Sequence, residues 1–304
     1  MLNYFGSLPP AIAQGIIWGI MAVGVYLTYK ILDMADLTVD GSICTGMAVC
    51  TVLIVKAGAP TWVGILCAMA AGMLAGLVTG IFHTVFGIPP ILSGILTQLI
   101  LWSVNLKIMG GTSNVGYPFG REFFISTSKL GLTLIYLVLM VALIIAVFYW
   151  FFGTELGSAV RATGCNLNMS RAQGINTDRT KVLGLVISNG IVALSGALLS
   201  LFLGFSDANA GRGAIVIGLA AVIIGEALFS RLTKNNFAAK LGSVVLGGVI
   251  YYIVYQTVIF LGLDTNYLKL LSALLVAVFL GLPYWKKKYF GKAEKTKKEE
   301  KKNA

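Results

Sequence analysis

Residues 153–181, GTELGSAVRATGCNLNMSRAQGINTDRTK, form a polar island between two apolar runs. Each run is long enough to cross a bilayer. The island cannot sit in hydrocarbon, where unpaired backbone groups find no water. It is also longer than a turn between helices requires. It must therefore build structure of its own at one membrane face. Ser158 is placed to cap a short helix that Gly164 stops, and Asn168 a second that Gly174 stops. Ala159, Ala162 and Ala172 keep both pieces slim, while Arg161, Arg171 and Arg179 make the surface basic. A compact, basic, helical platform at a membrane edge is suited to docking a partner.

The rest of the chain explains why the island stands out. Hydrophobic residues make up 57% of the sequence and charged ones only 12%, against about 25% charged in soluble domains. Such a chain cannot cover itself with polar surface, so lipid is its solvent. Its 36 glycines suit close packing of membrane helices. The expected organisation is one transmembrane domain over residues 1–285, followed by a lysine-rich tail over 286–304. The tail carries much of the net charge of +11. This reads as a solvated cytoplasmic end that can touch anionic lipid, and gives no support to nucleic-acid binding. The start, MLNYFGSLPP, lacks the basic residues of a secretory signal, so residues 11–29 read as a retained first span.

Apolar runs fall near 11–31, 41–57, 61–86, 89–108, 130–152, 180–203, 213–230, 240–261 and 267–284. The expected fold is an all-α integral membrane bundle of about eight or nine helices, the second and seventh being short. With the tail inside, alternation puts the platform and Lys30 in the cytoplasm, together with Arg231, Lys234 and Lys240. The N-terminus then lies outside, as do residues 109–129. Three stretches look like broken or re-entrant segments: LDMADLTVDGS at 32–42, GIPP at 87–90 and GFSDANAGRG at 204–213. Irregular backbone at membrane depth survives only against protein or a water-filled cavity, so these stretches point to a transport route.

Several polar residues fit such a route. Asp36, Thr38 and Ser42 lie in the first broken segment, and Asp40 reads as a cap for a helix beginning at Gly41. Pro89 and Pro90 open the fourth span, where proline is tolerated. Ser93, Thr97 and Gln98 follow them, and Asn189 interrupts the sixth span. Ser93 and Thr97 share a helix face; a pore lining and interhelical hydrogen bonding both remain open. Glu226 reads as interfacial or ion-paired near Arg231. Gly72, Gly76 and Gly80 read as a helix-packing face. Cys44, Cys50, Cys67 and Cys165 form no CxxC pair, and His83 is the lone histidine, so no metal or catalytic set is expected. No GxxxxGK[ST] loop is present, so the chain has no nucleotide cradle or cofactor of its own, and energy must come from a partner.

DLTVDGSICTGMAV at 36–49, GIPPILSGILT at 87–97, RATGCNLNMSRAQGINTDRTKVLGLVISNGIVALSGALLS at 161–200 and GFSDANAGRGAIVIGLAAVIIGE at 204–226 together resemble one known family. This is the permease subunits of bacterial ABC importers, in the branched-chain amino acid and ribose permease superfamily. Within it the chain is most similar to single-permease systems associated with tryptophan and related amino acids. The resemblance implies that the island holds the coupling helix that fits a groove in an ATPase. Arg161, Ala162, Thr163, Gly164, Asn166, Arg171, Ala172, Gly174 and Ile175 match that motif, with Leu167 standing where proline is usual. It further implies a permease homodimer in the bacterial plasma membrane, two ATPase subunits that bind the ATP, and an extracytoplasmic binding protein. The cargo would be an amino acid, with sugars and nucleosides as the family's other options. A secondary transporter is the alternative from a different class.

Overall fold

The computed structural model describes residues 2–118, 123–229, 233, 236–261 and a few positions between 270 and 281. Most of the ninth apolar run, the tail over 286–304, and Arg121, Arg231 and Lys234 lie outside the described residues. Among the described residues the chain is helical nearly throughout. The α-helices are α1 (Leu2–Tyr26), α2 (Val39–Val55), α3 (Thr61–Thr84), α4 (Pro90–Ile108), α5 (Leu130–Gly153), α6 (Glu155–Cys165), α7 (Leu167–Ala172), α8 (Thr177–Leu203), α9 (Ala214–Phe229) and α10 (Phe237–Phe260). A π-helical turn, Leu27–Ile31, extends α1. Two short strands, β1 (Asn114–Gly116) and β2 (Phe205–Asp207), pair antiparallel.

α1 and α8 form the centre of the bundle. The span that contains α1 is 89% buried and that of α8 is 72% buried, whereas α5 is only 17% buried. A hydrophobic stripe cannot bring helices together in lipid, so small residues do it. α8 presents Ser188, Asn189, Ala193, Gly196 and Ala197 on buried faces. Glycines on its neighbours meet it backbone to backbone. A Cβ at Gly46 of α2 would collide with the Ala193 carbonyl, and one at Gly76 of α3 with the Leu185 carbonyl. Gly72 meets Asn189 and Ala193 in the same way, and Gly80 meets Val182. The expected glycine packing face is therefore the seam between α3 and α8.

Among the described residues, six helical segments are long and apolar enough to span a bilayer, and α2 and α9 are shorter apolar helices. With 16 residues, α9 reaches roughly 24 Å at ~1.5 Å per residue, less than the ~30 Å hydrocarbon core. Their placement explains the short lengths. Leu32 packs at Gly184, and Asp36 bonds Asn189 near the middle of α8, so the non-helical stretch 32–38 climbs to mid-depth. Within it Asp33 takes φ 53°, a left-handed conformation that aspartate tolerates. α2 starts there and runs to the end of the bundle that carries β1 and β2. In mirror fashion, α8 ends at the left-handed Gly204 (φ 82°), and the chain then folds back through β2. Gly211 comes to rest on the Asp40 carbonyl and Ile43. α9 begins beside the first turn of α2 and runs the opposite way, to the end where Glu226 meets Lys30. Two half-spans thus start at one level and diverge, which is the broken architecture expected from residues 32–42 and 204–213.

Candidate functional site

The junction of the half-spans is held by buried polar side chains. The Asn189 Nδ2 donates to Asp36 Oδ2 at 2.7 Å and to the Leu185 carbonyl at 3.0 Å. Its Oδ1 accepts from the Ser42 hydroxyl at 2.6 Å. Asp36 Oδ1 accepts the Thr38 backbone N–H at 2.9 Å. A second chain runs sideways: the Thr38 and Thr79 hydroxyls bond at 2.7 Å, Thr79 donates to Thr97 at 2.9 Å, and Thr97 donates to the Ser93 carbonyl at 3.0 Å. Asp36, Thr38, Ser42, Ser93, Thr97 and Asn189 are all at most 3% exposed. Residues gathered from five sequence segments therefore meet in one interlocked network joining α2, α3, α4 and α8. Thr79 is the member that sequence reasoning missed; its only signal was its place between Gly76 and Gly80. Pro89 and Pro90 stand just below the network, as the N-cap and first residue of α4.

Asp40 does not cap its own helix. α2 already begins at Val39, and the Asp40 carboxylate accepts Gly213 N–H and Ile215 N–H, each at 2.9 Å. It thereby caps α9, placing a negative charge at that helix's positive end. Beside this cap lies a cavity of about 310 Å³ lined by Asp40, Gln98, Trp102, Asn105 and Arg212. Gln98 lines this cavity, one residue along α4 from Thr97 of the network.

The island builds the expected platform, with its caps shifted. Thr154, not Ser158, caps α6, accepting from Gly157 N–H at 3.3 Å; the Ser158 hydroxyl bonds back to the Glu155 carbonyl instead. Asn166, not Asn168, caps α7, accepting from Met169 N–H at 3.0 Å. Gly164 does not stop α6, which runs on to Cys165. Its lack of a side chain serves contact instead: a Cβ there would overlap the Ile31 carbonyl. Gly174 does end α7, with φ 81° and the Ile175 N–H bonded to the Ser170 carbonyl at 3.0 Å.

Arg161 departs from the expected outward role. Its guanidinium sits 4.8 Å from the Phe152 ring and 4.4 Å from the Phe237 ring, a cation–π sandwich that ties α6 to α5 and α10. Thr163 bonds Thr180 at 2.8 Å, fastening α6 to α8. Ala162 is half-buried and borders an open groove shared with Ile175 and Arg179. Arg171 and Ala172 are exposed, as are Leu167 and Met169, at 39% and 58%. Arg171 Nε donates to Thr177 Oγ1 at 2.9 Å. Glu226 is ion-paired as expected, but with Lys30 at 3.0 Å. His83 joins two helix ends, its Nδ1 lying 2.8 Å from the Ile88 carbonyl and its Nε2 3.3 Å from the Lys181 ammonium.

Residues 10–280 match the family model described as "branched-chain amino acid transport system / permease component". A tyrosine transport system permease protein of Clostridioides difficile (strain R20291) is 39% identical over 267 residues, covering 88% of each chain. An uncharacterized protein of Rickettsia prowazekii (strain Madrid E) is 31% identical over 272 residues, covering 89% of this chain and 95% of its own. An autoinducer 2 import system permease protein of Yersinia pestis (strain Pestoides F) is 29% identical over 234 residues, covering 75% and 64% respectively. No solved structure matches the chain. With a multi-pass helical bundle, a midplane junction of half-spans and a family match over nearly its whole length, the chain belongs to the branched-chain amino acid transport system permease family of ABC importers.

Proposed function

We propose that this permease passes a free amino acid inward across a bacterial plasma membrane, in a complex with two ATPase subunits and an extracytoplasmic binding protein. A second copy completes the membrane unit. The N-terminus lies outside; the platform and the tail over 286–304 face the cytosol. ATP is bound by the partner subunits, and the chain itself needs no cofactor. The basic residues Lys30, Arg161, Arg171, Arg179 and Lys181 support that orientation. The amino-acid cargo is supported by the family description and by the tyrosine transport relative.

One observation carries the mechanism. Gly164 of the platform rests on the Ile31 carbonyl, immediately before the unwound stretch that ends in the Asp36–Asn189 bond. An ATPase that grips the exposed face of α7 and moves the platform therefore pulls on residues 31–36. The buried network closes the midplane in the conformation described. Breaking the Asp36–Asn189 and Thr38–Thr79–Thr97 links lets α2 and α4 part, and re-forming them closes the path behind the cargo. Arg171, Ala172, Gly174 and Ile175, with the apolar Leu167 and Met169, form the docking face. Thr163, Gly164 and Asn166 hold that face in place.

The test is uptake of labelled L-tyrosine into liposomes containing the permease, its ATPase and its binding protein. Uptake that requires ATP supports the proposal. Uptake by the permease alone under an ion gradient overturns it in favour of a secondary transporter. ATP-driven uptake of a sugar with none of any amino acid overturns the cargo assignment.

A further inference from the structure

The cavity beside the cap of α9 contains an anomaly. Asn105 is 1% exposed, yet neither its Nδ2 nor its Oδ1 has a hydrogen-bond partner. Leaving such buried groups unmade costs about 1–3 kcal/mol each, so a buried amide with both ends free calls for a ligand or water. Asn105 faces a space of about 310 Å³ that it shares with Asp40, Gln98, Trp102 and Arg212. That volume is at the small end of ligand pockets, about 300–1,000 Å³. Arg212 makes no ion pair among the described residues, and the Trp102 ring stacks on no aromatic neighbour among them. Charged groups at membrane depth face water or cargo rather than lipid.

The cavity is bounded on both sides along the bundle axis. Toward the strand end, Ala48, Met109 and Ala208 pack together under the β1–β2 ladder. Toward the platform end, the Thr38–Thr79–Thr97 chain and Asp36–Asn189 close the bundle. The cavity thus lies between two closures along the axis and opens sideways, where Arg212 is exposed and Trp102 is 46% exposed, which gives a small charged cargo a way in.

We propose that this cavity is the transit site for a free α-amino acid. Arg212 takes the carboxylate in a forked pairing. Asp40, whose two oxygens keep lone pairs beyond the two N–H bonds they accept, takes the α-ammonium together with Asn105 Oδ1 and Gln98. Trp102 offers an aromatic face to the side chain. The anionic and cationic ends of one small molecule are thus read by groups of opposite charge that line one cavity. This inference rests on the amino-acid importer reading above.

The experiment is equilibrium binding of labelled L-tyrosine to the full-length permease in lipid nanodiscs, run beside uptake by the complete importer. Tyramine, which lacks the carboxylate, and 3-(4-hydroxyphenyl)propionate, which lacks the ammonium, serve as competitors. Saturable binding that weakens tenfold or more in both Arg212→Gln and Asn105→Leu supports the proposal. So does loss, in Arg212→Gln, of the preference for L-tyrosine over tyramine. Arg212→Lys should recover part of the binding, which separates a charge contact from misfolding. Binding unchanged in these variants, or no saturable binding by a permease whose complete importer takes up L-tyrosine, overturns the transit site and leaves the importer reading intact. Failure of the complete importer to take up any amino acid overturns both.

Discussion

Replacing Asn189 by leucine removes the hub of the midplane network while keeping the number and branching of its side-chain heavy atoms. The side chain makes bonds at 2.7 Å to Asp36, 2.6 Å to Ser42 and 3.0 Å to the Leu185 carbonyl. The last matters least, because that carbonyl lies within a continuous helix. Asp36 Oδ2 and the Ser42 hydroxyl are left unpaired in a site at most 3% exposed. Two such groups at about 1–3 kcal/mol each give a loss of about 2–6 kcal/mol. Interhelical bonds measured within membranes are weaker, averaging about 0.6 and reaching about 1.7 kcal/mol, which gives about 1–3 kcal/mol for two. The ranges overlap near 2–3 kcal/mol, and that is the expected destabilisation. A double-mutant cycle isolates the coupling. Ser42→Ala alone should cost about 1 kcal/mol, but almost nothing in the Asn189→Leu background, where the hydroxyl already lacks its acceptor. The assay is reversible unfolding of the purified protein in mixed micelles at rising SDS fraction, followed by circular dichroism. If the two substitutions add within about 0.3–0.5 kcal/mol, the side chains do not form the bond described and the closed-network account is wrong.

Three further perturbations follow from the platform and its edges. Gly164→Val should abolish ATP-driven uptake while the protein still reaches the membrane, because its Cβ overlaps the Ile31 carbonyl; normal uptake in vesicles would contradict the contact. Arg161→Leu should lower stability by about 1–2 kcal/mol through loss of the Phe152 and Phe237 contacts, yet leave ATPase binding in a pull-down intact, since this arginine is turned inward. Lys30 and Glu226 are 49% and 37% exposed, so Glu226→Gln should change the unfolding midpoint by less than about 1 kcal/mol, and less still at high salt.

Much of this architecture was legible in the residues, and the misses share a cause. Hydrophobic run length located the spans because backbone satisfaction in lipid demands continuous helix. The same rule marked residues 32–42 and 204–213 as broken, and their low helix content put two half-spans at one depth. The Gly72–Gly76–Gly80 series announced its seam because only glycine permits backbone contact there. Local capping was read less well. Thr154, Asn166 and Asn176 are the caps, and each lies within four residues of another plausible Ser, Thr or Asn; geometry, not residue type, chooses among them. Asp40 was misassigned because its partners, Gly213 and Ile215, are far away in sequence. Arg161 was misread for the same reason, since Phe237 belongs to another helix. Trp102, Asn105 and Arg212 carried no local pattern at all; only the fold brings them to one cavity.

The central claim is that a platform on the cytosolic side is gripped by an ATPase, and a native thiol reports on it. Cys165 is exposed at the end of α6, and Cys67 is the other exposed cysteine, so a Cys67→Ala protein isolates the signal. The measurement is labelling of Cys165 by a membrane-impermeant maleimide, in intact cells and in inverted vesicles, with and without the co-expressed ATPase. The account predicts no labelling from outside, ready labelling in inverted vesicles, and protection when the ATPase is bound. Labelling in intact cells, or labelling in inverted vesicles that the ATPase leaves unchanged, would contradict it.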